Sequence, residues 1–140
     1  MGNDSAEAWR WLRYARGDLD SAEDSFATLE PRHLCFMAQQ GTEKAIKAVL
    51  VYCQIEFPFT HDLEDLRLRV PEGWSFRDEA IDADALTQWA VESRYPTDSP
   101  EPTEQDACDA LVLARSVLDS VVRDIEQRAA GLDTPQERGP

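Results

Sequence analysis

A chain of 140 residues is long enough for one domain that buries about two-thirds of its unfolded surface, and no stretch approaches the roughly 18 continuous apolar residues of a membrane span. The formal net charge of −14 argues against general nucleic-acid binding, because proteins that hold phosphates by counterion release present a basic face. Three cysteines with no CxxC pair, and only two histidines, call for no zinc site and no other cofactor.

The first residues, MGNDSAEAW, lack the basic and apolar regions of a signal peptide, so a soluble, cytoplasmic protein is expected. Asp4 followed by Glu7 reads as a capping box opening the first helix. Leu12, Ala15, Leu19, Ala22, Phe26 and Leu29 then recur at intervals of three and four, a seam for packing on another helix that runs to Glu30, before Pro31. Arg10, Arg13 and Arg16 lie along one side of this helix, and Trp11 and Tyr14 are either packed or free to stack on a base.

Leu34 to Gln54, LCFMAQQGTEKAIKAVLVYCQ, reads as one long central helix. Apolar or small residues cover most of its circumference, which suits a helix inside a bundle. Gln40, Glu43, Lys44 and Lys47 interrupt that surface within roughly a third of the circle. This polar stripe is either a solvent face, with Glu43 and Lys47 paired at i, i+4, or one wall of a cleft for an anion or nucleotide. Cys35 and Cys53 stand about 27 Å apart along such a helix, beyond disulfide reach, so the cysteines are expected as reduced, packed thiols.

Pro58 ends the helical pattern in IEFPFT, where Phe57 and Phe59 are expected to fold back on the core, and Thr60 can cap a short helix from His61 to Arg69. Residues 70–77 read as a turn-rich connection. A fourth helix follows over Ile81–Glu92 and stops at Ser93-Arg94-Tyr95-Pro96. Thr103 with Asp106 opens the last helix, whose Ala107, Leu111, Ala114, Leu118, Val121 and Ile125 form another seam. The expected architecture is an all-α, up-and-down four-helix bundle over residues 1–128 with one short additional helix, followed by a flexible tail over 129–140.

Charge is uneven along this plan. Asp and Glu outnumber Lys and Arg seven to three over residues 1–30, ten to four over 62–100 and nine to four over 101–140. Over 31–61 the balance is two acids to three bases, so an anionic ligand would be steered to the central helix and its exit loop.

The order of WLRYARGDLDSA (11–22), AQQGTEKAIKAVL (38–50), THDLEDL (60–66), SRYP (93–96) and a closing amphipathic helix resembles the HEPN domain family over roughly residues 6–127. The resemblance implies a bundle that dimerises, a nucleotide- or RNA-binding cleft, and pairing with a small nucleotidyltransferase in prokaryotic toxin–antitoxin modules. Ribonuclease members carry an arginine followed four to six residues later by a histidine. Here Arg94 is followed by Tyr95 and then by no histidine through Pro102. General acid–base chemistry would need a substitute, for which His61 is a weak candidate and His33 has no supporting pattern. The resemblance therefore favours a non-catalytic binding module, with a metal-independent ribonuclease using Arg94 and a displaced histidine, or a purely structural dimer, as the alternatives.

In that module Arg94 would hold phosphate or pair with a carboxylate such as Glu43, Lys44 and Lys47 would add phosphate contacts, Gln40 a hydrogen bond, and Tyr95 a stacking ring. Trp9, Trp11, Trp74 and Trp89 are candidates for a homodimer face.

Overall fold

The computed structural model describes residues 2–78 and 100–131. The expected helix over Ile81–Glu92, the SRYP stop with Arg94 and Tyr95, and residues 132–140 of the expected tail lie outside the described residues. Within them the fold is all-α: α1 (Gly2–Asp24), α2 (Pro31–Tyr52), α3 (Leu63–Arg69), α4 (Ser75–Asp78) and α5 (Glu104–Ala129). None of these helices is long and apolar enough to cross a membrane.

The helix α2 is the element around which the others pack, with α1, α3 and α5 against it. It runs antiparallel to α1, since Trp11 lies beside Lys47, Asp18 beside Lys44 and Leu19 beside Gly41. The two helices approach closely at that last point: a Cβ added to Gly41 would stand 2.6 Å from Leu19 Cδ2 and 2.8 Å from Leu19 Cγ. The seams expected from periodicity form the core. Leu12, Ala15, Leu19 and Ala22 of α1, Leu34, Ala38, Ala45, Ala48 and Val49 of α2, and Leu111, Ala114, Leu118, Val121 and Ile125 of α5 are all buried together.

Several boundaries differ from the sequence expectation. The helix α1 begins at Gly2, so Asp4 lies inside its first turn rather than capping it. It ends at Asp24, six residues early, and Ser25–Leu29 form successive turns, as in the Leu29 N–H bond to the Ser25 carbonyl at 2.9 Å. Pro31 at the start of α2 requires Glu30 to be extended, with φ −68° and ψ 150°, and the chain reverses direction in the turns before it. Phe26 is consequently only half-buried and Leu29 is exposed.

The cap of α3 is Asp62, whose carboxylate accepts from the Asp65 N–H, while Thr60 Oγ1 accepts from the Asp62 N–H one step earlier. Inside the turn-rich connection the short α4 forms because Asp124 of α5 caps it from outside. Its two oxygens accept from Ser75 N at 2.6 Å and Ser75 Oγ at 2.8 Å, and Trp74 and Phe76 on either side are buried. No signal within residues 70–77 could have shown a cap that comes from another helix.

The last helix opens as expected. Thr103 accepts from the Asp106 N–H and Asp106 accepts from the Thr103 N–H, a complete capping box. All three cysteines are free, but only Cys35 is fully packed; Cys53 is half-buried and Cys108 is exposed, contrary to expectation. Burial, with Asp106 adding to it, pushes the Cys35 thiol up to about 12.

Candidate functional site

Gln39, Glu43 and Lys47 follow one another at intervals of four on α2, so they stack along one line of the helix. That line faces the bundle interior and the connection that leaves α2, and it is covered: the side chains of Glu43 and Lys47 are 7% and 8% exposed. Glu43 is the centre of the cluster. Its Oε2 accepts from Lys47 Nζ at 2.8 Å, and its Oε1 accepts from Gln39 Nε2 at 2.8 Å and meets His61 Nδ1 at 2.8 Å. Gln39 Nε2 also reaches the His61 carbonyl at 3.4 Å, and Gln40 Nε2 donates to Gln39 Oε1 at 2.7 Å.

Glu43 and Lys47 of the polar stripe therefore do not lie on a solvent face; with Gln39 and His61 they form a buried network that ties the central helix to the connection before α3. Two aromatic rings close it from the side. Lys47 Nζ lies 5.4 Å from the Phe57 ring centroid and 5.9 Å from that of Trp11, and these two rings meet edge to face at 6.4 Å. As expected, Phe57 folds back on the core. Phe59 does not; its ring is 93% exposed and stands edge-on to His61 at 6.0 Å.

The electrostatics follow from this arrangement. Burial pushes the Glu43 carboxyl up, but hydrogen bonds from Lys47, His61 and Gln39 and the charge of Lys47 outweigh burial and hold it below the ordinary value. Glu43 is thus a carboxylate, and it balances the ammonium of Lys47 where both side chains are buried. The half-exposed imidazole of His61 is held by its Nδ1 against that carboxylate, the arrangement that orients a histidine through one ring nitrogen.

Of the residues expected at a site, the structure brings Gln40, Glu43, Lys47 and His61 into one network. Lys44 is elsewhere: one residue after Glu43 is a turn of about 100°, and its Nζ pairs with Asp18 Oδ2 of α1 at 2.6 Å. Arg94 and Tyr95 lie outside the described residues. Gln39, which the sequence pattern did not single out, is fully buried and bonds to three of the others. Its signal was available: Gln39 stands with Glu43 and Lys47 at i, i+4 and i+8 on one line of α2. Among the tryptophans proposed for a dimer face, Trp74 is buried against Tyr52 and under the Arg128 guanidinium, 4.0 Å above its ring. Trp9 and Trp11 are half-buried against the core, and Trp89 lies outside the described residues.

No curated protein matches the chain. Among solved structures it is similar to TT1696 from Thermus thermophilus, with 29% identity, a TM-score of 0.70, and 83% of this chain covering 96% of that one. It is also similar to ST0689, described as an archaeal HEPN homologue, with 26% identity, a TM-score of 0.65, and 84% of this chain covering 97% of that one. The profile of the HEPN domain matches residues 8–125, from the first turns of α1 to the end of the α5 seam, and the chain belongs to the HEPN domain family.

Proposed function

We propose that this protein is a nucleotide-binding HEPN module that works with a partner and has no ribonuclease chemistry of its own. One observation supports this above others: a carboxylate, an ammonium group and an imidazole are held together at Glu43 where aliphatic side chains would pack at least as well. A buried ion pair returns little net stability after its desolvation, and polar clusters in protein interiors gather where ligands bind. The half-buried Gln40 offers a hydrogen-bonding edge beside this cluster, and the exposed Phe59 ring offers a surface on which a base can stack.

In this reading Arg94 supplies the phosphate contact through its planar fork and Tyr95 a second ring. Lys44 and Lys47 contribute less than a free ammonium would, since Asp18 and Glu43 already balance them. The lack of a histidine four to six residues after Arg94 favours binding over cleavage. The same reading takes the protein as a cytoplasmic homodimer that pairs with a nucleotidyltransferase in a toxin–antitoxin module.

Titration of the purified protein with ATP and GTP, read by calorimetry, tests the ligand. Saturable binding that disappears in Arg94→Ala and weakens in Gln40→Ala is the expected result. Heat-silent titrations with both nucleotides would overturn the reading. Cleavage of single-stranded RNA without added metal, abolished in His61→Ala, would replace it with the ribonuclease alternative.

A further inference from the structure

None of the residues of the Glu43 cluster lines the groove of about 470 Å³ that lies between the end of α1 and the first half of α5. Cys108, Leu111, Val112 and Arg115 form one wall, at i, i+3, i+4 and i+7 of α5, and Glu23 and Phe26 form the other. Phe26, Leu111 and Val112 are its apolar residues, and Glu23 and Arg115 pair with each other at its edge. Val112 is 65% exposed although it sits in the middle of a packed helix, and Phe26 is half-buried because α1 stops before it.

The rim is anionic. Arg115 meets Asp20 and Glu23 at 2.8 Å each, so two carboxylates share one guanidinium. On α5, Glu104 and Asp119 stand exposed one turn beyond Cys108 and Arg115. A second copy of this chain, itself carrying −14, would bring the same carboxylates against one another across the groove. An occupant that complements the surface has apolar side chains along one helical line and cationic side chains beside it.

We propose that this groove is the docking site for a cationic amphipathic helix of a partner protein, with its apolar residues seated against Leu111, Val112 and Phe26 and its Lys or Arg side chains against Asp20 and Glu23. This specifies the partner half of the function proposed above and stands apart from the nucleotide half, so either can fail alone.

Cys108 gives a local readout, because it lines the groove and is the exposed cysteine of the three. The full-length protein is treated with iodoacetamide, and alkylation of Cys108 is followed by mass spectrometry. The probe is a Leu/Lys peptide of about 18 residues with its leucines on one helical seam. At ten times its Kd the peptide should slow alkylation by about tenfold. Val112→Asp, at an exposed position that leaves the fold intact by circular dichroism, should remove most of that protection, and Asp20→Lys should weaken it.

Four outcomes overturn the proposal. Equal protection by a scrambled peptide of the same composition would mean diffuse charge attraction. Equal protection by a Leu/Glu peptide with the same seam would mean that charge plays no part. Protection that grows with the concentration of the protein alone would mean that a second copy fills the groove. Absence of protection by every peptide would equally rule out the site.

Discussion

Removing one partner of the Glu43–Lys47 pair tests whether the network is as buried as its geometry indicates. In Glu43→Gln the new amide keeps an acceptor for Gln39 and His61 but leaves the Lys47 ammonium, 8% exposed, without a counter-charge. In Lys47→Met the Glu43 carboxylate loses its lysine counter-charge, while the methionine still packs against Trp11 and Phe57. Breaking a buried pair from one side costs about 3–5 kcal/mol, whereas replacing both partners with side chains of similar shape is near neutral. Against a total stability of about 5–15 kcal/mol, either single change would be a large loss. The double variant should recover most of it. Equilibrium urea unfolding at pH 7, with midpoints compared at constant m, gives the four corners of the cycle. Losses below about 1 kcal/mol in both single variants, adding simply in the double, are what an exposed pair gives and would refute the argument.

The pH dependence of stability should carry the same signature. The folded Glu43 carboxyl lies below its ordinary value of 4.5, so its contribution is complete above that value and is lost as pH falls through the lowered one. Denaturant midpoints should therefore decline below about pH 4.5 in the wild type and decline less steeply in Glu43→Gln. Gly41→Ala should destabilise by about 1–3 kcal/mol in thermal unfolding, despite the better helix propensity of alanine, because the fully buried Leu19 stands 2.6 Å from the added Cβ. A neutral or stabilising result would mean that α1 and α2 can separate at their crossing. Thr103→Ala removes the acceptor for the Asp106 N–H and should cost about 1 kcal/mol by urea unfolding.

The Lys44 and Lys47 positions show why a site is harder to read than a fold. Three residues apart on one helix, they read as a pair that could hold one phosphate together. Three residues is also a rotation of about 300°, which leaves their directions some 60° apart. That difference is enough for α1 to claim Lys44 through Asp18, while Lys47 turns under Phe57 and Trp11.

Features that repeat within one element were legible in the order of residues. The 3–4 spacing of Leu12 to Ala22 and of Ala107 to Ile125 and the capping box at Thr103 act between residues a turn apart, and they lead directly to an all-α bundle. Which polar groups become neighbours across elements emerged only from the packing of the helices. Glu43 and His61 are 18 positions apart, Ser75 and Asp124 are 49, and Arg115 and Glu23 are 92. Their contacts depend on the rotation and depth at which each helix packs, and the small residues at helix crossings, such as Gly41 against Leu19, set both.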